Sequence, residues 1–248
     1  MNQLNIQLVI LTLFCGSCLG TEVGNPPEKP VNTDHSEIEI DFVSQSVQSN
    51  ISGLNVSSDV KFDVAVIVVK DLRFRRCNQG ENKAPRTRSF LAELLKKDLV
   101  DTSVKMPLGE YCRMDIRPKR GGEDSAFPDR PELKGNTMYA RGSFKGTPLV
   151  IRYEGDDEIS FFGKFEIDSS SDRLFISVDL GEWFTNVDLD QAELTDGQII
   201  LSDGDGASNT DLLEKLSANF EASISVGLDL NGNGVFDPIE LRGEDGDD

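Results

Sequence analysis

Val60-Lys-Phe-Asp-Val-Ala-Val-Ile-Val-Val69 is the longest β-branched run in the chain. Val64, Val66 and Val68 fall on one side of an extended segment, and Ala65, Ile67 and Val69 on the other. Both sides are apolar, so the run reads as a strand buried on both faces, at the centre of a sheet. Around it the same period of two recurs. Ile38, Ile40 and Phe42 alternate, as do the segments Tyr111–Ile116, Thr137–Phe144, Leu149–Tyr153, Ile159–Ile167 and Leu174–Leu180. Lys145-Gly-Thr-Pro lies between two of them and reads as a hairpin connection. Two segments carry a helical period instead. In Arg86-Thr-Arg-Ser-Phe-Leu-Ala-Glu-Leu-Leu-Lys-Lys97 the residues Phe90, Leu91, Leu94 and Leu95 share a face. Beyond Ser208 or Asn209 as cap, Leu212, Leu213, Leu216 and Phe220 do the same. Ile224–Leu228 fits either a continuation of that helix or a strand. The Gly- and Pro-rich stretch 121–134 reads as a surface loop, and Trp183-Phe184 as core aromatics at a strand end. The fold expected is a mainly β domain, an antiparallel β-sandwich with one or two short helices.

The chain has 248 residues, a net charge of −19 and a single histidine, His35. A surface so acidic repels nucleic acid and attracts divalent cations, so nucleic acid is excluded as a partner. Catalytic devices built on histidine, and His-ligated zinc, need an imidazole held in a pocket. His35 falls in a polar stretch, and no phosphate-binding Gly-rich motif is present. The chain is therefore read as non-enzymatic. Carboxylate-pair hydrolysis is the residual catalytic alternative among 44 acidic residues, with no pair standing out. Tyr153, Phe161, Phe162, Trp183 and Phe184 form either a sugar-binding platform or, more often in such folds, core.

Residues 1–20 read as an export signal, with the short apolar run Leu8–Phe14 followed by small residues. Two processing routes are open: cleavage after Gly20, or lipidation of Cys18, which Gly16 and Ser17 precede in the manner of a bacterial lipobox. Residues 21–36 read as a flexible tether, 37–242 as the folded domain and 243–248 as an acidic tail. Removal of the signal leaves Cys77 and Cys112, a pair suited to one disulfide in an exported chain.

The most specific motif is Asp229-Leu-Asn-Gly-Asn-Gly-Val-Phe-Asp-Pro-Ile-Glu240. It matches the EF-hand calcium loop position by position. Asp229, Asn231 and Asn233 supply side-chain oxygens, Val235 a carbonyl, Asp237 a direct or water-mediated ligand, and Glu240 two carboxylate oxygens. Gly234 stands where the loop must turn. Calcium is the one cofactor expected, at a lone site of ~10⁻⁴–10⁻³ M that braces the C-terminal segment. Two further acidic groups, Asp203-Gly-Asp and Asp188/Asp190/Glu193, read as a turn and a solvated face.

Gly20-Thr-Glu-Val-Gly-Asn-Pro26, behind a lipobox-like cysteine with Leu19 intervening, resembles the start of exported bacterial lipoproteins of unknown function. The order of later segments is similar to a domain-of-unknown-function family of such lipoproteins. These segments are Val66–Leu72, Leu108-Gly-Glu-Tyr111, Gly142-Ser-Phe-Lys-Gly-Thr-Pro148, Trp183-Phe184 and the terminal calcium-like loop. The resemblance implies a β-rich fold attached to the cell envelope through a lipid anchor, and implies no activity. The expected role is structural or binding, with the membrane and a cell-surface protein or glycan as partners. The alternative is a secreted carbohydrate-binding or adhesive module.

Overall fold

A computed structural model of the chain describes residues 35–44, 54–55, 59–77, 85–96, 101–122, 127, 129–204 and 206–233. The export signal, Cys18, the tether up to residue 34, loop positions 234–240 and the acidic tail lie outside the described residues.

In chain order the strands are β1 (His35–Ser44), β2 (Leu54–Asn55), β3 (Val60–Arg76), β4 (Phe90–Glu93), β5 (Thr102–Pro107) and β6 (Gly109–Pro118). After a loop come β7 (Met138–Phe144), β8 (Thr147–Tyr153), β9 (Ile159–Ile167), β10 (Arg173–Val178), β11 (Leu194–Thr195) and β12 (Gln198–Ser202). The helix α1 (Thr210–Ala218) and the strand β13 (Ile224–Leu228) follow. The protein is mainly β. One sheet has the order β13-β10-β1-β5 and the other β11-β12-β8-β7-β3-β6-β9.

The β-branched run Val60–Val69 forms the first half of β3. Ala65 and Val69 are buried in the main core, with Ile67 packed against it. Val66 and Val68 are buried on the opposite face with Leu133, Tyr139 and Val150. Leu133 comes from the Gly-rich loop expected at the surface. It ends a 3-10 turn over Pro131–Leu133, and is 1 % exposed. The loop therefore covers the outer face of the sheet, which explains why β3 is apolar on both sides. Residues 60–67 of β3 pair with β7, and residues 69–76 pair with β6. The change of partner coincides with a register irregularity between Val69 and Asp71.

The two sheets share one core. Ile38, Ile40 and Phe42 of β1 and Leu174, Ile176 and Val178 of β10 join Phe62, Leu72 and Phe74 of β3 in a single buried cluster. Phe42 of the small sheet meets Phe90 of the large one, ring centroids 5.8 Å apart. Trp183 is buried, as expected of a core aromatic, in a 3-10 turn over Glu182–Phe184.

Three expectations differ from what is observed. The sheets are mixed rather than antiparallel, because β1 pairs with β10 and β8 with β12 in parallel. Segment 86–97 forms no helix over its described part. Phe90–Glu93 is instead a strand against Val66–Val69 of β3. Phe90, Ala92 and Leu94 are buried in the core while Leu91 packs on the outer cluster. An open edge of β3 provides backbone partners and burial on both faces, and these outweigh a weak local helix preference. Third, His35 and Ser36 are not tether but the start of β1, paired with Pro107 and Met106.

Other local readings hold. Lys145 and Gly146 join β7 to β8 with φ of 49° and 84°, the pair of left-handed residues of a tight hairpin. Helix α1 buries Leu212, Leu213 and Leu216. Asn209 stands at its cap position with φ 52°, a conformation Asn tolerates. Its side chain turns away from the helix: Nδ2 donates to the carbonyls of Glu193 (3.0 Å) and Ile200 (2.8 Å).

Candidate functional site

The calcium motif begins where β13 ends. Strand β13 pairs antiparallel with β10, and one residue on, the Asp229 N–H donates to the Arg173 carbonyl at 3.2 Å. Asp229 is buried, and its Oδ1 accepts from the amides of Gly232 (2.7 Å) and Asn233 (3.3 Å). Asn231 Oδ1 accepts from the Asn233 amide at 2.9 Å. Gly232 takes φ +67°, which lets the chain fold back over the carboxylate. Asp229, Asn231 and Asn233 are thus gathered on one turn. Val235, Asp237 and Glu240 lie outside the described residues. Among the described residues no group of three or more His, Cys, Asp or Glu is placed to hold a metal ion. The segment before the loop is a strand, so the entering helix of a helix-loop-helix hand is replaced by β13.

Arg173 stands beneath this turn. Its guanidinium donates to Glu39 at 2.7 Å and lies 3.5 Å from Asp41. The hydrogen bond to Glu39, and then the charges of Asp41 and Asp229, hold it firmly protonated. One cation therefore ties the turn to β1 at the edge of the small sheet.

Asp101 connects the sheets from the other side. One of its carboxylate oxygens accepts the Phe42 amide of β1 at 2.8 Å, and the Glu93 amide of β4 also donates to it. Burial raises its pKa to about 7, against those two bonds and with help from the charges of Asp41 and Glu93. Between an unfolded value near 3.8 and a folded value of about 7, the folded chain keeps a proton that the unfolded chain has released. Stability therefore falls as pH rises through this window and levels off above it. A full shift of that size corresponds to ~4 kcal/mol, and partial solvent access reduces the expected fall to about 2 kcal/mol. Urea unfolding at pH 5 and pH 8 spans the upper part of this window and should show roughly two thirds of that fall. Asp101→Asn should flatten the profile, and an equally steep decline in that variant would remove Asp101 as its source.

The outer face of the large sheet carries a cross-strand ion network. Asp115 of β6 is fully buried. It accepts from Arg75 Nε at 2.7 Å, from Ser160 Oγ at 3.0 Å and from Arg113 Nε. Burial opposes its charge, but these three donors outweigh it and hold the carboxyl below its ordinary range. Asp71 accepts from Arg73 at 3.2 Å and from Arg117 at 3.1 Å. Glu158 lies 3.3 Å from Arg113 and 3.6 Å from Arg117. At the far end of the same strand pair, Cys77 and Cys112 are bonded, with Cα atoms 4.9 Å apart.

A cavity of about 310 Å³ opens at one end of the core. Its walls come from the middle of β3 at Ile67 and from four strand ends: Pro118 ending β6, Met138 starting β7, Tyr153 ending β8 and Ile159 starting β9. It forms where β3 changes partner, so the β7–β8 and β6–β9 pairs leave a space between them. Trp183, Phe220 and the last turn of α1 close the opposite side. Sequence reasoning missed this cavity. Its only local signal was Tyr153 and Trp183 among the aromatics considered for a sugar platform. The platform itself is not formed. Trp183 is buried, Phe161 and Phe184 pack against the core, and Phe162 is 66 % exposed beneath Arg113 on the outer face.

The remaining acidic groups serve local structure. Asp203 Oδ1 accepts the Glu154 amide at 2.9 Å, Asp188 caps a 3-10 turn, and Asp190 pairs with Lys145 at 2.6 Å. The Glu193 amide donates to Asn209 Oδ1. Comparison with protein-family models, curated proteins and solved structures finds no match for the chain. No helix among the described residues is long and apolar enough to cross a membrane.

Proposed function

We propose that this protein is a non-catalytic, calcium-braced binding module exported to the bacterial cell envelope and anchored there by a lipid on Cys18. The reading rests on one observation. In the turn that forms the first half of the loop, the buried Asp229 carboxylate and the Asn231 side-chain oxygen both accept backbone amides, an arrangement that fits the start of a calcium loop. A hard cation needs six to eight such oxygens, and the sequence supplies the others at Val235, Asp237 and Glu240. The ion would fix the chain after β13 to the edge of the small sheet. The Cys77–Cys112 bond suits an oxidising compartment and supports export.

Calorimetric titration of the mature domain should give about one calcium per chain at ~10⁻⁴–10⁻³ M. At about 10 mM calcium, linkage then adds roughly 1.4–2.7 kcal/mol to the unfolding free energy. Asp229→Ala and Glu240→Gln should abolish the heat and the stabilisation. No heat from the parent domain would end the calcium reading. The anchor is tested separately by membrane fractionation: Cys18→Ala should release a lipoprotein, whereas a module cleaved after Gly20 would already be soluble.

A further inference from the structure

Protein cores contain few voids larger than a water molecule. The cavity of about 310 Å³ at the strand junction is larger than that, and falls at the lower end of the range used for small ligands. Its interior is apolar and aromatic. The Phe220 ring meets Tyr153 edge-on at 5.3 Å and Trp183 at 5.1 Å. The polar groups of the wall are occupied within the protein. Ser223 Oγ accepts from Trp183 Nε1 at 3.0 Å and donates to the Phe220 carbonyl at 2.7 Å. Thr137 Oγ1 is 2.8 and 2.7 Å from the carbonyls of Tyr153 and Gly155. A sugar or other polyol would find few partners inside and would lose its hydration.

The mouth has a different character. Asp157, Glu158 and Glu221 border it. Glu158 is engaged by Arg113 and Arg117. Asp157 and Glu221 are exposed, and neither forms an ion pair with a described residue. The charge of Asp157 also reaches Tyr153, whose phenol is kept protonated by burial first and by that charge next. An entrant therefore meets two uncompensated negative charges, on a molecule of net charge −19, before it reaches an apolar aromatic interior.

We propose that this cavity binds a small organic cation: an ammonium group held at Asp157 and Glu221, with an aryl or alkyl body between Trp183, Phe220, Met138 and Ile159. The site is independent of the calcium loop.

Trp183 is the chain's single tryptophan and lies in the cavity wall, so its emission reports filling directly. The probes are 4-phenylbutylamine and its anionic counterpart 4-phenylbutyrate, titrated at constant ionic strength into the mature domain. The amine should change the emission saturably and bind about tenfold more tightly than the carboxylate, the scale expected of two partly exposed charge contacts. The surface double variant Asp157→Asn/Glu221→Gln, with unchanged circular dichroism, should reduce that preference to about threefold or less. Calcium-free and calcium-loaded protein should behave alike, which separates this result from the calcium titration. No saturation with the amine up to about 10 mM would overturn the site. Equal binding of both probes, or a preference untouched by the double variant, would overturn the assignment of the cation to Asp157 and Glu221.

Discussion

Replacing Asp115 by alanine should cost about 3–5 kcal/mol of unfolding free energy, the range for breaking a buried ion pair from one side. The carboxylate has no solvent access, and Arg75, Arg113 and Ser160 all donate to it. Its removal leaves two guanidinium groups facing each other across β3 and β6 with nothing between them. The Arg75 and Arg113 side chains are 20 % and 31 % exposed and can turn towards water, which favours the lower end of the range. Titration gives an independent reading. The folded carboxyl lies below its ordinary value, so its contribution is complete above the unfolded pKa and is lost as pH falls through the folded one. The gap between parent and Asp115→Ala in urea midpoint should therefore be widest near neutral pH and narrow in acid. A gap below about 1 kcal/mol at pH 7 would reduce the network to ordinary surface pairing.

The β character was legible because burial leaves a period in the sequence. Val64–Val69 of β3 showed two apolar faces, and both are covered, one by the second sheet and one by Leu133. Ile38, Ile40 and Phe42 showed one apolar face, and it is the core face of β1. What was not legible depends on partners distant in sequence. Phe90–Glu93 carries four residues compatible with either period, and the open edge of β3 decides between them. The parallel pairing of β8 with β12 joins Val150 to Ile200, fifty residues on, and no local pattern records direction. Thr102–Pro107 has only Val104 and Met106 as buried apolar positions, too few to mark a period of two, and was not read as a strand.

The same distinction runs through the sites. A calcium loop draws its ligands from one continuous segment, so its spacing shows in the sequence even though the structure describes only its first half. Asp101 and Asp115 are two of 44 acidic residues, and nothing local marks them. Their roles come from being buried between strands that meet only after folding. The cavity is less visible still, since its walls come from the ends of several strands and the last turn of one helix.

Removing the Cys77–Cys112 bond by paired serine substitution should destabilise the domain by about 3–4 kcal/mol in the chain-entropy model, for a loop closed over 35 positions. At this size that corresponds to a fall of roughly 6–16 °C in melting temperature. The segment it closes contains β4, β5 and the start of β6, so the unfolded chain gains its freedom where long-range pairing is most demanding. The bond and the Asp115 network brace the same pair of strands. Cys77 follows Arg75 by two residues, immediately after the end of β3, and Cys112 precedes Asp115 by three on β6. Arg76 adds a third link through the Leu108 carbonyl. If these act on one cooperative edge, losing either lets that edge fray and weakens what the other contributes. The variant lacking both the disulfide and Asp115 should then lose less than the sum of the two single effects, by about 1 kcal/mol or more. Strict additivity would instead mean that β3 and β6 stay paired without either brace, held by Leu72, Phe74 and Met114 in the core.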